Sequence, residues 1–139
     1  MGNYLFDDLE PILETEFFRV EQDWEVPIEG FLIVSPKEIR KSILDFHDGE
    51  TYQFPLLLKE VRRGMLDVLG VRTVYQFQNE DTKHNFHHWM FPRYDWMHIF
   101  GNGIESVKPI MIYAENNFAK DEIIQRVVGS AEKLRNYWN

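Results

Sequence analysis

The chain contains no cysteine. A disulfide framework, a thiolate nucleophile and a thiolate metal site are excluded together. No apolar run approaches the ~20 residues that a membrane-spanning helix needs, and the opening MGNYLFDDLEPILETE is acidic where a secretory leader begins basic. A cytoplasmic protein without a membrane partner is expected. Positive charge is in deficit: 15 Lys and Arg stand against 23 Asp and Glu, a net −8, and such a field repels nucleic-acid polymers and anionic surfaces. A small phosphorylated ligand is still open, because a pocket needs only a few local donors. The GxGxxG fingerprint, the P-loop and the G-x-S-x-G elbow are missing, which removes support for Rossmann, Walker and α/β-hydrolase chemistry. No Gly-, Ser- or Pro-rich linker, repeat or low-complexity stretch divides the 139 residues, so one domain over 1–139 is expected.

Apolar residues make up 44% of the chain and aromatics 15%, enough for a sizeable core and too many for a disordered chain. The first dozen residues read as an acidic arm or short helix. EFFRVEQ (16–22) is rich in β-formers and ends before the turn-like VPIEG, and FLIV (31–34) is a short apolar strand bounded by Gly30 and Ser35-Pro36. KEIRKSILDF (37–46) suits a helical turn. From DGET (48–51) onward Phe54, Leu57, Leu58, Val61, Met65 and Leu69 recur at helical spacing up to Gly70, a natural stop. VRTVYQFQ then alternates as a strand, with Val71, Thr73, Tyr75 and Phe77 on one face. The aromatic segment HNFHHWMF (84–91) before Pro92 reads as another strand, followed by a helix near Pro109 and a last helix from about Lys120. Strands come first and helices fill in around them, which predicts the α+β class with an antiparallel sheet.

A strand over 84–91 would place Asn85, His87, Trp89 and Phe91 on one face and His84, Phe86, His88 and Met90 on the other. His84 and His88 would then stand about 13 Å apart at ~3.3 Å per residue, too far for one metal ion, so no metal is expected unless the segment is helical. A slip of one residue would exchange the two faces. His47 and His98 lie in loop-like surroundings and carry no signal.

HNFHHWMFPR resembles the signature of the histidine-triad (HIT) superfamily, His-x-His-x-His followed by apolar residues and often Pro-Arg. It is most similar to a bacterial HIT-like subgroup with the pattern His-x-His-x-Trp-x-x-Pro-Arg-Tyr-x-Trp-Met, matched by His87, Trp89, Pro92, Arg93, Tyr94, Trp96 and Met97. Asn85 departs from it. Upstream, Asp23, Gly30, FLIV and Ser35-Pro36-Lys37 resemble a second stretch of the family in the right order. The resemblance is strongest over 15–97, with the C-terminal helices at 106–138 a weaker fit. It implies a sheet of about five antiparallel strands with flanking helices, a homodimer, a small nucleotide ligand and no cofactor.

The resemblance further implies that His87 attacks the α-phosphorus of a nucleotide, of the dinucleoside polyphosphate or nucleoside phosphoramidate class. Water would then cleave the nucleotidyl-histidine. A neutral imidazole suits both steps, as a nucleophile and as a leaving group. Asp23 would accept ribose hydroxyls, or merely cap the VPIE turn. Asn85 and Trp89 would contact substrate in the outer triad positions, although neither can titrate. Arg93 would bind phosphate or pair with a carboxylate, and Lys37 would bind phosphate or stay a solvated loop lysine. Trp89, Tyr94 and Trp96 read first as packing residues and second as base-stacking ones. Three functions compete: a HIT-type nucleotide phosphohydrolase, a nucleotide-binding or regulatory module without efficient turnover, and a dimeric interaction protein.

Overall fold

The computed structural model describes residues 10–139. The expected N-terminal arm falls mostly on residues 1–9, outside the described residues. Five strands form one antiparallel sheet: β1 (Leu13–Glu14), β2 (Phe18–Gln22), β3 (Leu32–Pro36), β4 (Val74–Phe77) and β5 (His88–Pro92), in the spatial order β1-β2-β3-β5-β4. Three helices flank it, α1 (Asp48–Leu69), α2 (Val107–Asn117) and α3 (Asp121–Trp138). This is the α+β arrangement that the order of elements predicts. β1 was not foreseen, since two residues are too few to show a period.

α1 begins at a capping box in which the His47 ring accepts from the Glu50 backbone N–H (3.1 Å) and the Glu50 carboxylate accepts from the His47 N–H (2.9 Å). It ends at Gly70, whose left-handed backbone (φ 68°) costs a residue without Cβ nothing. Its apolar stripe buries Phe54, Leu57, Val61 and Met65 against one sheet face, where Phe18, Val20, Leu32, Val34 and Met90 point, and α3 adds Val127, Ala131 and Leu134. α1 and α3 touch closely at Gly64, where a Cβ would run into the Trp138 indole. Pro109 sits in the first turn of α2 and Gly129 does not interrupt α3.

Alternation sends Ile33, Trp89 and Phe91 to the other face. α2 covers only part of it, packing Val107, Ile110 and Ala114 over Val26, Ile28, Phe31 and Phe91. Phe31 and Phe91 meet edge to face at 5.1 Å and are fully buried, which stabilises the fold by roughly 2–3 kcal/mol per ring. Beyond the edge of α2 the same face is left open around Glu21, Ile33 and Trp89. Among the described residues no helix is long and apolar enough to cross a membrane.

Candidate functional site

The open part of that face forms two adjoining cavities. One, of about 250 Å³, is lined by Glu21, Asp23, Glu25, Ile33, His84, His87 and Trp89. The other, of about 590 Å³, has Phe31, Phe77, Trp89, Ile104 and Met111 as its apolar wall, and Lys108 and Glu115 at its rim. Asp23, Glu25 and Trp89 belong to both. The structure thus brings together three of the residues expected from sequence, Asp23, His87 and Trp89.

Asp23 sits where β2 gives way to the loop before β3. That loop is fixed by its own backbone, Asp23 N–H donating to Phe31 O (2.8 Å), and by the buried Gln22 amide donating to Ile28 O (2.9 Å). Asp23 Oδ1 accepts from the N–H groups of Glu25 (2.9 Å) and Val26 (3.1 Å), so the residue caps the turn and also faces both cavities. Burial pushes its carboxyl up to about 6, against the lowering effect of those two N–H groups and of the neighbouring Trp89 indole. Glu21 is raised as well, by burial first.

Trp89 lies in β5, stacked on Phe77 of β4 (5.6 Å between centroids, 19° between planes) and edge-on to the His87 ring at 5.5 Å. His87 is half-buried, and burial, aided by the charge of His84, pushes its imidazole down to about 4. It is therefore neutral at pH 7. His88 points to the opposite face, as alternation requires, with Nε2 at 2.9 Å from Gln76 Oε1 and its ring edge-on to Phe54.

His84 departs from expectation. β5 starts at His88, so residues 84–87 are not strand and alternation does not govern them. The Phe86 N–H donates to Arg40 O (2.7 Å), and the Lys41 ammonium donates to the carbonyls of Thr82 (2.7 Å) and His84 (2.9 Å). Held by that neighbouring loop, the segment bends and lays the His84 ring face to face on His87, at 5.1 Å and 14°, in the same cavity. Glu21 and Glu25 were also not singled out from sequence. Their signal was available, since they stand at two-residue spacing about Asp23.

The remaining expected site residues lie elsewhere. Asn85 accepts from the Arg40 N–H and donates to the carbonyls of Glu38 (3.0 Å) and Pro36 (3.4 Å), stapling the 36–40 loop. Lys37 pairs with Glu14 at 3.3 Å. The buried Arg93 guanidinium donates to Ser106 Oγ (3.0 Å), Gly101 O (2.8 Å) and Asn102 Oδ1 (3.3 Å), and lies 4.9 Å over the Tyr75 ring. Its partners are neutral oxygens that pin the 95–106 connection. Tyr94 and Trp96 border a separate hollow of about 350 Å³ with Pro27, Phe118 and Arg126. Among the described residues no group of three or more His, Asp or Glu is placed to hold a metal ion.

No protein-family model matches this chain, and no curated protein sequence matches it. Solved structures do. A HIT-like protein involved in cell-cycle regulation from Bartonella henselae superposes with a TM-score of 0.63 at 14% identity, covering 94% of this chain and 87% of that one. A zinc-bound histidine triad family protein from Mycobacterium smegmatis gives 0.60 at 14% identity over 94% and 89%. A hypothetical histidine triad nucleotide-binding protein from Sulfolobus tokodaii gives 0.57 at 16% identity over 93% and 85%. The chain has the HIT-like fold.

Proposed function

We propose that the protein binds a nucleotide across the two cavities and transfers its nucleotidyl group to His87. The observation that carries this reading is an imidazole held neutral at physiological pH in a cleft that it shares with Asp23. The likeness in fold to a histidine triad nucleotide-binding protein supports it. The base and ribose would occupy the larger, apolar cavity against Phe77 and Trp89. A carboxylate offers roughly four acceptor positions, of which the turn takes two at Asp23, leaving about two for ribose hydroxyls. The α-phosphate would lie beside His87.

In the first step a ring nitrogen of His87 gives its lone pair to phosphorus, and the bond from phosphorus to the leaving oxygen or nitrogen breaks, that atom keeping the pair and taking a proton. In the second, water oxygen attacks phosphorus, the P–N bond returns its pair to the imidazole, and the proton goes to solvent. The three carboxylates of the smaller cavity repel a long polyphosphate, which favours a phosphoramidate or another low-charge phosphoryl derivative. Asn85, Arg93 and Lys37 play no part in this reading, because their side chains are spent on other partners. A homodimer is part of the same proposal, and β4, at the edge of the sheet, is a surface that could serve it.

A second reading, binding without efficient turnover, is favoured by one observation. The outer triad positions hold Asn85 and Trp89, neither of which titrates, and the Asn85 amide is spent on the 36–40 loop, so neither protonates a leaving group. Product analysis with nucleoside phosphoramidates, dinucleoside polyphosphates and mononucleotides, on wild type and His87→Ala, separates the two. Turnover by wild type alone supports the nucleotidyl-histidine route. Binding without turnover moves the conclusion to the second reading, and absence of both overturns nucleotide recognition.

A further inference from the structure

A phosphate entering the cavity beside His87 meets negative charge. Glu21, Asp23 and Glu25 line it, and among the described residues no lysine or arginine does. A phosphate is nevertheless held by N–H donors and positive charge. The donors nearest in sequence are committed: Arg93 to the 101–106 connection, Lys37 to Glu14, Lys41 to two backbone carbonyls and Asn85 to the 36–40 loop. His87 is neutral and is the attacking group.

Among the described residues that line this cavity, His84 is an exposed side-chain donor. Its ring is exposed, rests parallel on His87 and lines the same cavity, and among the described residues no side-chain hydrogen bond holds it. Resting on the nucleotide reading above, we infer that His84 is the phosphate-binding residue of this site, its imidazolium donating to a non-bridging oxygen of the phosphoryl group that His87 attacks. Two parallel rings suit this division of labour. A phosphorus aligned with a ring nitrogen of one ring turns a non-bridging oxygen toward the other. The charge on His84 has a second effect, since it helps keep His87 unprotonated and hence nucleophilic. The groups facing His84 are Glu21 of β2, Asp23 and Glu25 of the following loop, and His87 on its own segment, while Lys41 reaches only its carbonyl. A bound phosphoryl oxygen competes with those carboxylates for the same proton donor.

The test is calorimetric titration of the full chain, as wild type, His84→Ala and His84→Gln, from pH 5.5 to 8.5. The probes are the four ribonucleosides and their 5′-monophosphates, comparing the pair that binds tightest. Wild type is expected to prefer the monophosphate over its nucleoside by about tenfold at pH 6, an affinity ratio in the range of one charge-assisted hydrogen bond. In His84→Ala that preference is lost while nucleoside affinity stays within twofold. His84→Gln, which keeps a donor without the charge, retains a smaller preference. The preference of wild type is compared with that of each variant at the same pH, where the second ionisation of the phosphate is common to all three proteins and cancels. Nucleoside binding with a preference that survives in His84→Ala, or that is absent from wild type, overturns the assignment of His84 and leaves the nucleotide reading standing. Binding of neither probe by wild type overturns both.

Discussion

Replacing Asp23 with asparagine is expected to stabilise the protein at neutral pH and to weaken nucleoside binding. Asp23 is 9% exposed, and burial raises its carboxyl from an ordinary value near 3.8 to about 6. Below pH 4 the carboxyl is protonated in both folded and unfolded chains, and its ionisation costs nothing. Between pH 4 and 6 the unfolded chain has released the proton that the folded chain keeps, so stability falls as pH rises. Above pH 6 both are ionised and the cost is complete. At about 1.4 kcal/mol per pH unit it amounts to roughly 3 kcal/mol. Asparagine keeps an oxygen for the N–H groups of Glu25 and Val26 and has no charge to desolvate. Urea unfolding of both proteins from pH 4 to 8 measures this directly. The stability of Asp23→Asn minus that of wild type is expected to climb by up to ~3 kcal/mol between pH 4 and 6 and then level off, while other titrating groups cancel in the difference. A difference flat to within ~0.5 kcal/mol would refute the account of a carboxylate ionised in a buried site.

His87 has the opposite sign. Its imidazole is lowered to about 4 from an ordinary 6.5, so the folded chain resists protonation and stability is lost as pH falls from 6.5 toward 4. Its ring resonances in an NMR titration are expected to move near pH 4, and a midpoint near 6.5 would show that the ring is solvated. Arg93→Met is expected to cost about 2–4 kcal/mol in urea unfolding by releasing the 95–106 connection, with nucleoside and monophosphate affinities kept in the same ratio. Unchanged stability with loss of that ratio would instead make Arg93 the phosphate ligand. Gly64→Ala removes a helix-interior glycine, a gain of about 1 kcal/mol, but its Cβ strikes the Trp138 indole, an overpacking cost of about 1–3 kcal/mol. A lower melting temperature is expected, and a higher one would mean that α3 moves away freely.

Legibility followed the reach of each signal. α1 could be read from end to end because its stripe, Phe54 to Leu69, repeats over about four turns at ~3.6 residues each and Gly70 ends it with a left-handed backbone. β2, β3 and β5 were found within a few residues, and alternation in β5 placed Trp89 and His88 on opposite faces correctly. The same rule failed at His84, because hydrogen bonds from the Phe86 N–H, the Asn85 amide and the Lys41 ammonium to carbonyls distant in sequence end the strand at His88. Lys37 and Arg93 had two readings each in the sequence. Their partners, Glu14 and the 101–106 connection, lie at other points of the chain and were supplied by the fold.

The sequence by itself determined the class of fold, the identity of the helices and the exclusion of cysteine chemistry, since each follows from composition or periodicity, and its resemblance to the HIT signature made Asp23 and His87 candidates. Only the tertiary structure decided that His84 lies on His87, that three carboxylates surround them, and that Asn85 and Arg93 are spent on loops. Those outcomes depend on burial and on contacts between segments tens of residues apart, and no local pattern encodes which polar group finds a partner first.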